Sequence, residues 1–291
     1  MQPNTRNTIF VEDAEIISQQ AFEADQFILR VNAPKCAASA KAGQFAHIQC
    51  HPLRRMRRPL SIMRVSPTEG WVDFLYKAVG EGTRLLSQRL IGESVNVMGP
   101  IGRPFELKAT HSKALLLGGG VGIPPMVSLS EEIKNQHPTI EPLVLMGSEV
   151  PFPFARTTSA LMVKGLADNT SDGLPLLESW GIASRLASLQ SYSGVYQGYI
   201  TDLARDWLNA LTPAEREQVA IYSCGPTPML KAVAELAKEF NLPCQVSLEE
   251  YMACAVGGCA GCVVKVSTKA GDVMKRVCVD GPVFESDSVF S

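Results

Sequence analysis

The sequence predicts three units in series: an N-terminal β-barrel, a parallel-sheet α/β domain and a small C-terminal module built around cysteines. Residues 1–108 alternate short apolar stretches with Gly, Pro and Asn turns, the rhythm of a small barrel or sandwich. Residues 109–248 repeat a strand, a glycine- or proline-bearing turn and a helix. Units of that kind build a parallel sheet with ligands at the strand C-terminal ends. Residues 249–291 carry Cys254, Cys259 and Cys262 in C-x4-C-x2-C spacing, and Cys278 beyond them.

The bulk properties are those of a globular protein. The 291 residues suffice for two cores, with 46% apolar and 19% charged residues and a mean hydropathy of +0.06. A net charge of −2 argues against general nucleic-acid binding, whose footprint is a basic surplus. Met1 to Asp13 lacks a signal-peptide layout, and the longest apolar run, Ala114 to Val127, is broken by glycines and prolines. The expectation is a cytoplasmic protein with no membrane span. In a reducing compartment eight cysteines point to metal ligation rather than crosslinks, with Cys36, Cys50, Cys224 and Cys244 scattered as small hydrophobes.

In the β region the expected strands include Phe27–Val31, Trp71–Tyr76 and Ser94–Met98. Between them lies Arg54-Arg55-Met56-Arg57-Arg58-Pro59-Leu60-Ser61-Ile62. Arginine runs are most often a solvated face, yet an arginine suits diphosphate, and a short hydroxyl suits a polar ring edge. In Tyr76-Lys77-Ala78-Val79-Gly80-Glu81-Gly82-Thr83, two glycines and a hydroxyl can open a helix as a phosphate nest. Gly99 to Phe105 reads as a rigid turn closing the region.

The α/β texture begins at Ala114–Leu117, a buried strand running into Gly118-Gly119-Gly120-Val121-Gly122. A helix is expected after the turn, through Met126 to Asn135, with Pro124 and Pro125 in its first turn, where no N–H is needed. This turn presents backbone donors to a pyrophosphate, or is simply a tight βα turn; position 125 holds proline rather than a third glycine. A second strand, Pro142–Gly147, ends near Glu149, which can accept from a ribose 2′-OH and so favours NAD. Arg156 and Arg185 stand as alternatives that would bind a 2′-phosphate. Residues 150–192 show no firm pattern and read as an insertion or lid. Gly198–Leu203 reads as a strand whose Thr201 or Asp202 caps the next helix. Val219–Cys224 is a strand entering Gly225-Pro226, followed by an amphipathic helix to Phe240 with Leu230, Val233, Leu236, Ala237 and Phe240 on one face.

In the last unit the cysteine spacing matches a plant-type 2Fe–2S loop, with Cys278 as fourth thiolate and small residues between the ligands. Zinc sites favour two C-x2-C pairs, and disulfides suit small secreted chains. A hairpin is expected over Cys262–Val266 and Val273–Val279.

Taken in order, Arg58-Pro59-Leu60-Ser61, Tyr76-Lys77 with Gly80-Glu81-Gly82-Thr83, Gly118 to Gly122 and Cys224-Gly225-Pro226 resemble the ferredoxin–NADP reductase superfamily. The added cysteine loop and Asp280-Gly281-Pro282-Val283-Phe284 resemble the iron–sulfur electron-transfer subunits of NAD-dependent dihydroorotate dehydrogenases. The resemblance covers residues 45–125 and 195–285. It implies a ferredoxin-reductase-like FAD-binding barrel, an NAD-binding domain and a 2Fe–2S module. It further implies that Arg58, Pro59, Leu60 and Ser61 border the flavin, and that Tyr76, Lys77, Gly82 and Thr83 hold its ring or diphosphate. Gly119, Gly120 and Gly122 would face the NAD pyrophosphate, with Cys224 as the catalytic residue near the nicotinamide beside Gly225. Cys254, Cys259, Cys262 and Cys278 would be the metal ligands. Two positions depart from the family pattern: Tyr251 replaces a common arginine, and Ala255 a common glycine.

The function this implies is an electron relay in pyrimidine biosynthesis. It would work in a hetero-oligomer with a catalytic flavoprotein subunit that oxidises dihydroorotate to orotate. The other readings are a reductase of the same build serving ferredoxin or a sulfur-metabolising partner, and a zinc-stabilised nucleotide-binding scaffold.

Overall fold

A computed structural model describes residues 8–290; residues 1–7 and 291, at the two ends of the expected units, lie outside the described residues. The first part is a closed six-stranded antiparallel barrel. Its elements are β1 (Phe10–Phe22), β2 (Gln26–Asn32), α1 (Pro34–Ser39), β3 (Phe45–Gln49), β4 (Arg58–Ser66), β5 (Trp71–Lys77), α2 (Glu81–Ser87) and β6 (Ser94–Ile101). The strand order is β1-β2-β5-β4-β3-β6, with β6 pairing back onto β1. Alternation decides what lies inside. Ala46, Ile48, Leu60, Ile62, Phe74 and Tyr76 fill the barrel, whereas Phe45, Met63 and Leu75 belong to clusters outside it. The expected turn at Gly99–Phe105 starts later than the sequence suggested: Gly99 and Pro100 are still strand, because β6 must reach Ile101 to pair with Phe45.

The second part is a seven-stranded sheet in the order β12-β11-β8-β7-β13-β14-β17. It begins with β7 (Lys113–Gly119), a 3-10 turn at Gly120–Gly122 and α3 (Ile123–Gln136), then β8 (Glu141–Gly147). Next come β9 (Thr157–Thr158), β10 (Asp172–Gly173), α4 (Pro175–Ser179), β11 (Ala183–Ser188), β12 (Tyr196–Gln197) and α5 (Ile200–Ala210). They are followed by α6 (Pro213–Arg216), β13 (Val219–Cys224), α7 (Thr227–Phe240) and β14 (Cys244–Ser247). The chain ends with the hairpin β15 (Val263–Thr268) and β16 (Gly271–Arg276), then α8 (Val277–Asp280), β17 (Val283–Glu285) and α9 (Ser286–Val289). The sheet is parallel except for β17, which runs antiparallel on β14. Helices cover both faces, so β7 and β13 are buried along almost their whole length and read as continuous apolar runs.

Three further expectations need correction. The unreadable stretch contains β11, an integral strand pairing with β8; its Ser184 and Arg185 hid it, since they are polar yet buried and hydrogen-bonded. Gly198–Leu203 is not a strand: α5 starts at Ile200, and Tyr199 precedes it without a side-chain cap from Thr201 or Asp202. Helix α3 runs from Ile123 to Gln136 with both prolines in its first turn, as expected. The second hairpin strand stops at Arg276, and the residues from Val277 turn into α8, which carries Cys278.

The two parts are braced together. Arg64 of β4 sits between Trp71 (5.4 Å) and Trp180 (5.2 Å) and pairs with Glu131 of α3 at 3.0 Å. On the connecting segment, the Phe105 ring meets Tyr222 edge-on, and the Lys108 N–H donates to the Tyr222 hydroxyl at 2.9 Å. Among the described residues no helix is long and apolar enough to cross a membrane.

Candidate functional site

Two of the sequence motifs meet at the C-terminal ends of neighbouring strands. Cys224 pairs in register with Gly118, so the turn after β7 and the turn after β13 lie side by side. The approach is backbone on backbone: a methyl at Gly122 would stand 2.2 Å from the Cys224 carbonyl oxygen and 2.6 Å from the Gly225 nitrogen. Gly119 is closed off in the same way, with the Met229 sulfur 2.3 Å from a built methyl. Gly120 differs. It has φ +55°, and a methyl there would meet nothing within 4 Å. The turn is therefore tight on its inner side and open at Gly120, directly before the start of α3.

Beneath it, Cys224 is fully buried, and its Sγ lies 4.0 Å from Glu249 Oε1. Burial, and then the nearby Glu249, hold the thiol well above its usual range. Glu249 is solvent-accessible yet crowded by protein, as on a cleft wall, and desolvation there pushes its carboxyl up. Both groups are thus biased toward their proton-bearing forms. Sequence reasoning missed Glu249, because an acidic pair before a cysteine loop carries no motif of its own.

A second meeting joins β4 to α2. The Arg58 guanidinium lies over Gly82, where a built methyl would stand 3.1 Å from Nε. Its Nη1 donates to the carbonyls of Met56 and Arg57. Thr83 Oγ1 accepts from the Gly80 N–H at 3.2 Å, closing the first turn of α2, and Arg54 pairs with Glu81 beside it. Pro59 and Ser61 sit opposite His47 and Phe45, on the outer face. The side chains of Leu60 and Tyr76 are not brought to this place. Leu60 lies in the barrel core, and Tyr76 is buried against Phe27 with its hydroxyl donating to Gln19 Oε1 at 2.9 Å. Only the backbone of these two is available, and Lys77 ends β5 nearby.

Glu149 is exposed on the bend after β8, and its carbonyl accepts from Gln190 Nε2 at 2.8 Å. Neither competing arginine is idle. Arg156 pairs with Asp172 at 2.8 Å and also donates to the Ser193 carbonyl, while Arg185 is buried and donates to the carbonyls of Ser184 and Leu161. A cavity of about 640 Å³ lies elsewhere, between α5 and the segments 165–170 and 191–197, and none of these motifs lines it.

The cysteines pair two by two. Cys262 and Cys278 bring their sulfurs to 3.3 Å, and Cys254 interacts with Cys259, whose N–H donates to the Cys254 sulfur at 3.4 Å. Burial pushes Cys254 up, but N–H groups from Val256, Cys259 and Gly258 outweigh it and bring the thiol to about 7. Burial and the neighbouring Cys262 push Cys278 up. Among the described residues no three His, Cys, Asp or Glu side chains close around one ion-sized point. The loop is pinned by Arg276, which donates to the Gly257 carbonyl and pairs with Asp280. Ala255 adopts φ +56°, the region glycine favours, which accounts for glycine as its common alternative.

Comparison with known proteins agrees with this geometry. The family model described as the iron-sulfur cluster binding domain of dihydroorotate dehydrogenase B matches residues 249–290. A dihydroorotate dehydrogenase B (NAD(+)) electron transfer subunit from Desulforamulus reducens is 33% identical, covering 95% of this chain and 97% of the relative. The chain belongs to this family. Another member, from Listeria innocua serovar 6a, is 34% identical over 94% of the chain and 96% of its own length. The family's build extends to a solved NADH-dependent reduced ferredoxin-NADP oxidoreductase: TM-score 0.75, 29% identity, 96% of this chain and 90% of that one. A ferredoxin reductase of carbazole 1,9a-dioxygenase shares the fold, with a TM-score of 0.60 at 19% identity, 81% coverage of this chain and 67% of that one.

The two kinds of glycine separate by experiment. Gly120→Val should cost some stability, because φ +55° strains a β-branched residue, but should chiefly weaken dinucleotide binding, by about tenfold or more, since its side chain points into the open side of the turn. Gly122→Ala should instead lower the melting temperature, because it strikes the Cys224 backbone. Calorimetric titration with the dinucleotide and thermal unfolding read the two effects; unchanged affinity in Gly120→Val would make the turn purely structural.

Proposed function

We propose that this chain is the electron-relay subunit of an NAD-linked dihydroorotate dehydrogenase, carrying FAD and a 2Fe–2S cluster and working beside a catalytic subunit that oxidises dihydroorotate to orotate. The single observation that carries the reading is the pairing of the four thiols, two by two, in a module packed against the outer face of the barrel. One zinc ion would draw all four sulfurs to a common centre. Two pairs suit two irons, with Cys254 and Cys259 on one and Cys262 and Cys278 on the other. That arrangement weighs against the zinc-stabilised scaffold.

The other residues fit their groups on geometric grounds. Arg58 lies over Gly82 at the start of α2, so its guanidinium is placed to meet a ligand phosphate at that turn. Pro59 and Ser61 offer the outer face of β4 to a flat ring, and the backbones of Tyr76, Lys77 and Thr83 flank it. Gly119, Gly120 and Gly122 supply a turn open on one side before α3, suited to the dinucleotide pyrophosphate. Bound flavin exchanges a hydride with nicotinamide and single electrons with an iron–sulfur cluster, which is why the fold needs both kinds of site. Cys224, Gly225 and Glu249 form the wall facing that exchange; the buried thiol excludes water, and desolvation biases the Glu249 carboxyl beside it toward its proton-bearing form. A cytoplasmic location belongs to the same proposal. The likeness to the NADH-dependent ferredoxin-NADP oxidoreductase favours, as a second reading, a reductase subunit serving ferredoxin.

Cys259→Ser tests the order of the relay. Iron content should fall, since a serine oxygen matches iron less well than a thiolate, while FAD stays bound and NADH oxidation by a small artificial acceptor stays within about twofold. Exchange with the protein partner should fail. Normal coupling in a cluster-free, FAD-loaded variant would reduce the cluster to a structural staple.

Dinucleotide choice tests Glu149. With Arg156 and Arg185 engaged elsewhere, NADH should reduce the bound flavin faster than NADPH by about tenfold, the scale of one charged hydrogen bond. Stopped-flow reduction with each dinucleotide measures this; equal rates would show that another cation governs the 2′ position.

A further inference from the structure

One buried polar side chain is left over by the site as described. His47 lies in the middle of β3 with 0% of its surface exposed. Its neighbours Ala46 and Ile48 point into the barrel, so His47 points outward with Phe45. It is paired across the sheet with Pro59 on one side and Met98 on the other. Over this face packs the start of the cluster module: Met252 and Ala255 share one buried cluster with Phe45, Cys262 and Cys278. His47 thus stands between the strand assigned to the flavin ring and the segment that enters the first cysteine ligand.

Neither ring nitrogen of His47 has a hydrogen-bond partner at normal distance. The backbone carbonyls of Arg57 and Met252 face the ring and favour its proton-bearing form, opposing burial in part. Arg57 itself donates to the His47 and Asn96 carbonyls, fixing its charge next to the ring. Burial chiefly, and then the Arg57 and Arg58 charges, lower the imidazole to about 4, so the ring is neutral at physiological pH and offers one N–H donor and one acceptor. A buried, neutral donor–acceptor with no partner is costly unless something nearby completes it. Of the two carbonyls a neutral ring can donate to only one, and Met252 belongs to the segment that enters the cysteine loop.

We infer that His47 is a positioning residue of the flavin-to-cluster junction: its one ring N–H closes on the Met252 carbonyl and fixes the entry of the cysteine loop against Pro59 of the flavin strand. This rests on the relay reading above. It differs from a packing role, because a hydrogen-bonding side chain without a ring would serve.

His47→Leu and His47→Gln separate the possibilities. In the FAD- and iron-loaded protein, His47→Leu should leave flavin reduction by NADH unchanged but slow reduction of the cluster by the flavin about tenfold, the scale of one buried hydrogen bond. Hydrogen exchange of amides 250–258 should accelerate in the same variant. His47→Gln, which retains a donor and an acceptor, should restore both. The acid limb of stability supplies a further check. The ring takes up a proton near 6.5 when unfolded and only near 4 when folded, so it lowers stability progressively as pH falls through that window. Both variants should lack this part of the slope. Wild-type transfer and exchange in His47→Leu would overturn the inference, and so would equal damage in the two variants, which would show that ring shape alone matters. If the protein bound neither FAD nor iron, the relay reading would fail by itself, and the exchange arm would still decide the role of His47.

Discussion

The contact on which the rest depends is the one between the Gly122 backbone and the Cys224–Gly225 backbone. Two parallel strands, β7 and β13, can place their turns this close only if neither turn carries a side chain at the contact. That condition draws the two signature stretches, more than a hundred residues apart in the chain, into one wall. It also orients the open side of Gly120 away from the sheet, toward the start of α3. The same packing buries Cys224 completely and leaves Glu249, at the end of the adjacent strand, as the acidic group next to it.

A similar logic joins the cluster module to the barrel. After β14 the chain crosses to the outer face of β3, where Met252 and Ala255 join the cluster of Phe45, with the Met252 backbone beside His47, and then forms the cysteine loop. It returns through β15, β16 and α8, and β17 closes onto β14. Asp280, of the closing Asp-Gly-Pro-Val-Phe stretch, anchors this return by accepting from the Arg276 N–H, while Arg276 reaches the loop at Gly257. Gly281 is small because the Phe284 ring occupies the space a side chain would need. The motif is thus mechanical as well as diagnostic: it ties the fourth cysteine to the edge of the sheet.

What could be read from residues alone follows from how local the physics is. Strand β13 and helix α7 have strong periodicity and are as expected over Val219–Cys224 and to Phe240. Paired cysteines and open glycines carry their meaning in spacing, so the metal and nucleotide candidates were legible as types. Strand β11 was not, because its buried Ser184 and Arg185 are satisfied by hydrogen bonds that exist only after folding. The side chains of Tyr76 and Leu60 turn inward for a related reason: the sequence marks the motif, but the barrel's alternation decides which way each residue faces. His47 and Glu249 belong to no motif. Each gains meaning only from what tertiary packing sets beside it.

The central claim is that one chain connects a nicotinamide site to a protein partner through FAD and a 2Fe–2S cluster. Its most direct test is the anaerobic reaction of the purified protein with a catalytic dihydroorotate dehydrogenase subunit, dihydroorotate and NAD, followed at the NADH absorbance. The account predicts NADH formation only when both subunits are present, with flavin and iron recovered in the complex. Complete absence of coupling with a flavin- and iron-loaded protein, alongside rapid NADH-dependent reduction of a ferredoxin, would contradict it.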